Sequence, residues 1–178
     1  MLKYRPFEMH CHTRHSDGTF LVPQLIESVA AYGYAGLALT DHNAVTGLLE
    51  VTEELQRKNN CLVLPGIEWT TFYGHLLVIG CDRFAGVAHP CEVGSPLMCG
   101  CNWEFRVKRW DLMDYVEIWS GPDPHASAKN GLAMPWYDTL LNQGYHLAIS
   151  AGRDWHGPDK PGQIPLLTAT YLGIDGDV

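Results

Sequence analysis

Two histidines separated by a single residue, close to the amino terminus, place the tightest constraint on the fold. The segment His10-Cys11-His12 ends an apolar stretch that predicts a β-strand. Alternate side chains of a strand share a face, so the two imidazoles point the same way. Asp17 follows after a short turn and can add an oxygen ligand. The motif therefore predicts a metal-binding face at the end of the first strand.

Helical patterns and continuous apolar runs alternate after this strand. The predicted order is a helix at 21–33, a strand at 36–40, an amphipathic helix at 45–58 and a strand at 61–67. This order implies parallel strands with right-handed crossovers, in which functional side chains gather at the carboxyl ends of the strands. His42 and Glu68 lie at such ends, beside the two histidines of the first strand.

A short turn separates Glu68 from the next apolar run, at 75–80. It has too few residues for a parallel crossover, which takes about a dozen. The run is therefore predicted to be antiparallel, as part of a hairpin insertion around residues 62–90. This hairpin returns His75 and His89 to the rim that carries Glu68.

The second half of the chain continues the alternation. Its predicted elements are a strand at 115–119, a helix at 133–143, a strand at 146–152 and a closing segment at 164–172. Glu117 lies near the carboxyl end of its strand, but the sequence identifies no partner for it. The 178 residues fall short of the roughly 250 of a regular eight-fold barrel. We predict one α/β domain over 1–178, an irregular and incomplete (β/α)7-type barrel.

Charge and hydropathy narrow the classes of partner. The net charge of −8 argues against a nucleic-acid surface built on phosphate contacts. No apolar run is long enough to span a membrane, and the amino terminus lacks the apolar core of a signal peptide. We therefore expect a cytoplasmic protein that acts on a small molecule. The sequence does not indicate its oligomeric state.

Six cysteines are present, and cytoplasmic thiols are reduced. Three are expected to act as small hydrophobes in strands or at strand edges, namely Cys11, Cys61 and Cys81. The others share the loop 90–104, a predicted lid or substrate wall, and are Cys91, Cys99 and Cys101. They lack the paired spacing of a zinc site, so a structural role is favoured over zinc binding.

Imidazoles and carboxylates are thus predicted to converge on one rim. The set comprises His10, His12, Asp17, His42, Glu68, His75, His89, Asp154 and His156. One such histidine alone would be better explained as structural, but independent placement of all of them at the same rim is improbable. Ligands of this kind suit zinc, iron or manganese, and they exceed what one ion can use. Two or three divalent ions are therefore predicted.

The sequence resembles the PHP (polymerase and histidinol phosphatase) superfamily of metal-dependent phosphoesterases in five segments, which are HCHTRHSDGT, LTDHN, GIEWTT with the GH that follows, VAHP and SAGRDWH. Their order and the segment VEIWSG are similar to the small CehA/McbA-like branch. The resemblance implies three ion sites. The implied ligands are His10, His12, Glu68 and Asp154 for the first, Glu68 with His75 and His89 for the second, and Asp17, His42 and His156 for the third.

The resemblance further implies a hydrolase that cleaves phosphomonoesters or phosphodiesters of a small molecule through a metal-bridging hydroxide. Two alternatives stay open: hydrolysis of a carbamate or carboxylic ester on the same metals, and a metal-stabilised accessory domain without activity. Glu68, Asp17 and Arg153 are the residues predicted to serve catalysis. Arg153 is expected either to bind a substrate phosphate or to offset the site carboxylates. Asp41 is expected to orient a ligand imidazole.

Overall fold

One eight-stranded sheet, curved into a nearly closed barrel, organises the protein. The computed structural model describes residues 2–80, 84–92, 103–123, 127–161 and 168–175. The strands are β1 (Lys3–Cys11), β2 (Gly36–Leu39), β3 (Leu62–Thr71), β4 (Gly74–Ile79), β5 (Phe84–Val87), β6 (Tyr115–Ser120), β7 (Ala148–Gly152) and β8 (Thr170–Ile174). The helices are α1 (Val22–Ala31), α2 (Glu53–Asn59) and α3 (Ala128–Asn142), with short 3₁₀ helices at Thr46–Glu50 and Trp110–Leu112.

The sheet order is β7-β6-β5-β4-β3-β2-β1-β8. Pairing is parallel among β1, β2 and β3 and among β5, β6 and β7, while β8 pairs antiparallel with β1. The segment after β7 also bonds to the end of β1, where Trp155 N donates to His10 O at 3.1 Å and His12 N donates to Trp155 O at 2.9 Å. The sheet therefore nearly closes, which confirms the predicted irregular and incomplete α/β barrel.

The hairpin insertion is confirmed. Strand β4 runs antiparallel to β3 and to β5. The register pairs Glu68 with Leu77 and Thr70 with His75. Strand β3 continues to Thr71, beyond the predicted end of 61–67, because the hairpin partner supplies hydrogen bonds to this extension.

Two helix predictions need correction. The helix predicted at 45–58 is divided into a 3₁₀ helix and α2, because Thr52 interrupts it: the Thr52 hydroxyl accepts a hydrogen bond from Leu55 N at 3.1 Å and caps α2. Helix α3 begins before the predicted start of 133–143. Its first turn is anchored by Asn130, whose side chain bonds both the N and the O of Ser120 at 3.1 and 3.0 Å.

The core beneath α1 explains two of the cysteines. Cys11 and Cys61 are buried among the apolar side chains of α1 and β2, which confirms their role as small hydrophobes. Cys91 is a partly buried free thiol. The predictions for Cys81, Cys99 and Cys101 fall outside the described residues, as does most of the loop 90–104. Within the described residues, no helix combines the length and the apolar character needed to cross a membrane.

Gly86 on β5 sets a limit on packing in the second half of the sheet. A Cβ there would lie 2.2 Å from the Tyr115 ring, whose hydroxyl is held by a 3.0 Å bond to Leu77 O. Gly86→Ala is expected to lower the free energy of unfolding by about 1–3 kcal/mol in urea denaturation. Gly131→Ala is the control, because a Cβ in that helical position meets no atom within 4 Å. A Gly86→Ala protein as stable as the wild type would contradict this packing.

Candidate metal centre

The side chains predicted to bind metal meet at one end of the barrel. They come from the end of β1 and the turn after it, the residues after β2, the end of β3, the start of β4 and the residues after β5 and β7. The structure brings together His10, His12, Asp17, His42, Glu68, His75, His89, Asp154 and His156. Their individual roles as ligands stay predictions, but their convergence is an observed feature of the fold.

The fully buried Glu68 carboxylate lies at the middle of this group. Its Oε2 atom is 3.1 Å from His10 Nε2, 3.3 Å from His12 Nε2 and 3.0 Å from His42 Nδ1. His10 Nε2 and Glu68 Oε2 are buried and have no hydrogen-bond partner among the described residues. Unsatisfied buried polar atoms are rare, so these two atoms fit a bound cation between them.

The other oxygen of Glu68 faces the hairpin. Oε1 is 2.7 Å from His75 Nδ1 and 3.0 Å from His89 Nε2. A carboxylate that presents each oxygen to a different set of imidazoles has the arrangement needed to share two cations. This geometry agrees with the expectation that Glu68 bridges a first and a second ion.

Asp154 completes the group around His10 and His12. Its Oδ1 atom lies 3.3 Å from His10 Nε2 and 3.1 Å from His12 Nε2. One ligand atom from each of these three residues and from Glu68 lies within 4.8 Å of all the others. Two imidazoles and two carboxylates at this spacing are a donor set that zinc, manganese or iron accepts.

Asp17 lies at the open side of the centre, with 54% of its side chain exposed. Its carboxylate is 3.6 Å from His42 Nε2, 3.2 Å from His156 Nε2 and 3.9 Å from His12 Nδ1. Asp17, His42 and His156 therefore form a group, as expected, and His12 joins it. This third group is the most accessible to a substrate.

The carboxylates are charged in this setting. Burial raises the pKa of Glu68, but the surrounding imidazoles, His10 foremost, outweigh burial and hold the pKa well below its usual range. Burial also raises the pKa of Asp154, but the neighbouring His10 and His12 lower it by more, so the pKa lies below its usual range. Both groups are therefore anionic near neutral pH, which is the state that binds a cation.

Glu8 is a buried carboxylate that sequence reasoning missed. Its Oε1 atom accepts hydrogen bonds from His10 N at 3.0 Å and Arg153 N at 2.8 Å, which ties β1 to the segment after β7. Burial raises the pKa of Glu8 to about 8. A signal was present, because Glu8 alternates with His10 and His12 and so shares their face of the strand.

Arg153 has buried partners that the sequence did not indicate. Its side chain is buried, and Nη2 donates to Asp159 Oδ1 at 2.6 Å. The guanidinium also lies 4.0 Å from the centroid of the Trp155 ring. A substrate phosphate would have to displace Asp159 to bind this guanidinium, so the ion pair weighs against that alternative, and the catalytic role of Arg153 stays a prediction.

Asp41 also differs from expectation. Its Oδ1 atom accepts hydrogen bonds from Thr13 N and Ser16 Oγ, both at 2.7 Å, and its Oδ2 atom accepts one from Thr13 Oγ1 at 2.7 Å. The carboxylate therefore orders the turn that carries Asp17 instead of orienting a ligand imidazole. The expectation was wrong because this turn folds back over the end of β2.

Two curated bacterial proteins are similar to part of the chain. The 5'-3' exoribonuclease Rnm of Escherichia coli (strain K12) is 26% identical over 96 residues, covering 52% of this chain and 30% of that protein. A 3',5'-nucleoside bisphosphate phosphatase of Chromobacterium violaceum is 34% identical over 79 residues, covering 42% of this chain and 27% of that protein. The matches thus involve less than a third of the length of each relative.

The fold has counterparts among solved structures. One is a protein from Bifidobacterium adolescentis that has been inferred to be a metal-dependent phosphoesterase. It superposes on this chain with a TM-score of 0.67 at 15% sequence identity, and the match covers 92% of both chains. At this identity the likeness shows the fold alone. The family model described as the PHP domain matches residues 8–130, which is more than half of the chain. The chain therefore belongs to the PHP domain family.

Proposed function

We propose that the protein is a metal-dependent hydrolase that cleaves phosphomonoesters or phosphodiesters of a small molecule. The observation that carries the proposal is the Glu68 carboxylate, whose two oxygens contact five imidazoles from four segments of the barrel. A carboxylate shared in this way suits neighbouring divalent ions, which in protein sites favour in-line displacement at phosphorus. The names of the two relatives, a phosphatase and an exoribonuclease, support phosphate esters as the substrate class.

The proposed ligands follow the observed groups. His10, His12, Glu68 and Asp154 would hold a first ion, Glu68, His75 and His89 a second, and Asp17, His42 and His156 a third. Zinc, manganese and iron fit these donors. When bound, the ions would lower the pKa of water and polarise a phosphoryl oxygen. Glu68 and Asp17 would then act through ion binding, with Asp17 facing the substrate.

Further features of the proposal come from the sequence. The net charge of −8 favours a small-molecule substrate over a nucleic acid held by phosphate contacts. Membership of the CehA/McbA-like branch and a cytoplasmic location are proposed with it. The chain matches less than a third of the length of each of these relatives. The activity of the whole protein is therefore part of the same proposal.

The test combines elemental analysis with a substrate panel. Protein loaded with zinc, manganese or iron is expected to hydrolyse bis(p-nitrophenyl) phosphate or nucleoside monophosphates and to contain at least two ions per chain. Protein stripped with a chelator is the matched control, and it should regain activity when the metal is returned. Cleavage of carbamate or carboxylic esters alone would overturn the phosphoesterase assignment. Metal-loaded protein that is inert on every ester would instead favour an accessory domain.

A further inference from the structure

Glu117 is another buried carboxylate beside the metal centre, and it contacts the His10 ring on the side away from Glu68. Only 1% of its surface is exposed. Its Oε1 and Oε2 atoms lie 3.0 and 3.1 Å from His10 Nδ1. The other nitrogen of that ring, Nε2, faces Glu68 and Asp154 at 3.1 and 3.3 Å. The two nitrogens of His10 therefore have separate partners on opposite sides.

The same carboxylate also holds the backbone of His89. Glu117 Oε2 accepts a hydrogen bond from His89 N at 3.0 Å. His89 has a φ of +23°, which a residue other than glycine rarely adopts, so this bond stabilises an unfavourable conformation. The His89 side chain then reaches Glu68 Oε1 at 3.0 Å. Glu117 thus contacts one residue proposed for the first ion and one proposed for the second.

Strand β7 is shaped to allow this contact. Gly152 pairs with Ser120 at the end of β6. A Cβ at Gly152 would lie 2.5 Å from His10 Cβ and 2.9 Å from Glu117 Oε1. Only glycine leaves room for the carboxylate and the imidazole to meet. Three neighbouring segments of the barrel are therefore adapted to one hydrogen-bonded pair.

We propose that Glu117 is a positioning residue that fixes the Nδ1–H tautomer of His10 and the backbone of His89. A carboxylate accepts but does not donate a hydrogen bond, so it requires a proton on Nδ1 and leaves the Nε2 lone pair for a cation. Both ion sites are thereby assembled by one side chain that binds neither ion. The inference rests on the proposed function, because it concerns two of the proposed ion sites.

Glu117→Gln is the diagnostic change, since it keeps the shape and removes one acceptor. When the glutamine oxygen takes the Oε2 position and accepts from His89 N–H, its amide nitrogen takes the Oε1 position and faces His10 Nδ1 as a donor, which favours the tautomer with a proton on Nε2. Zinc affinity, measured by chelator competition, is expected to fall about 10- to 100-fold. Glu50→Gln is the matched control, because Glu50 pairs at 2.8 Å with His15, a histidine outside the centre. It should leave zinc affinity unchanged.

A tautomer measurement separates positioning from a general effect on folding. Long-range ¹H–¹⁵N NMR of the zinc-loaded wild type should show His10 protonated at Nδ1, and this result does not depend on whether a variant folds. A proton on Nε2 of His10 overturns the inference. Equal zinc affinity of wild type and Glu117→Gln also overturns it and leaves the proposed function intact. A wild type that binds no zinc, manganese or iron is a different result, because it rejects the proposed function itself.

Discussion

Replacing both His10 and His12 by alanine is expected to abolish metal binding and hydrolytic activity. The two imidazoles contact Glu68 Oε2 at 3.1 and 3.3 Å and Asp154 Oδ1 at 3.3 and 3.1 Å. Without them the two carboxylates keep their charges but lose both nitrogen donors of the first proposed site. His12 also lies beside the group around Asp17. The double variant should therefore contain no tightly bound ion by elemental analysis, and turnover of phosphate esters should fall below detection.

The control removes the same number of imidazoles from outside the centre. His15 bonds Thr46 and Glu50, and His146 is exposed before β7. A His15→Ala, His146→Ala protein is expected to keep the metal content and activity of the wild type. Circular dichroism of both metal-free variants shows whether each has folded. A folded His10→Ala, His12→Ala protein that keeps both metal and activity would reject the metal centre.

The gathering of these side chains was predictable because it depends on topology. Parallel strands place their carboxyl ends at one rim, which brings His42 and Glu68 beside the first strand. The turn between Glu68 and His75 is too short for a parallel crossover, so the length of this connection was enough to predict the hairpin. Strand periodicity, connection length and the side-chain types that bind metals were sufficient for these positions.

Contacts across the barrel were not predictable in the same way. Periodicity tells which face of a strand a side chain occupies, but it does not tell which strand lies opposite. Glu117 lies on β6 and its partner His10 on β1, more than a hundred residues earlier. The contacts of Arg153 with Asp159 and Trp155 depend on the path of the chain after β7. The resemblance aligned Arg153 with the motif but carried no information on where its side chain points.

The predicted boundaries of the helix at 45–58 were wrong for a more local reason. The apolar spacing over 45–58 fits one amphipathic helix, and nothing in that spacing weighs a hydroxyl against it. Thr52 competes by bonding Leu55 N, and this local hydrogen bond starts a new helix. A side chain that can cap a helix is thus a better guide to a boundary than the hydrophobic period is.

Glu68→Gln is expected to lower kcat/KM and metal content more than the loss of any ligand that serves a single ion. Glutamine keeps the volume, but its amide nitrogen cannot accept the cation or imidazole contacts that Oε1 and Oε2 both provide. The proposed first and second sites then weaken together. The kcat/KM for bis(p-nitrophenyl) phosphate should fall at least about 10³-fold, the upper range for loss of one electrostatic stabiliser. Elemental analysis should show that the variant has lost up to two ions per chain.

Asp17→Asn provides the comparison, because among the described residues the Asp17 carboxylate contacts the imidazoles of the third group and its neighbour, namely His42, His156 and His12. Substitution of this exposed residue should weaken the third ion alone. The first and second ions should stay bound, and kcat/KM should fall less than in Glu68→Gln. The ratio of the two effects measures how far Glu68 is shared. If Glu68→Gln lost no more metal than Asp17→Asn, Glu68 would serve a single ion, and the bridging arrangement on which the proposed hydrolysis depends would be wrong.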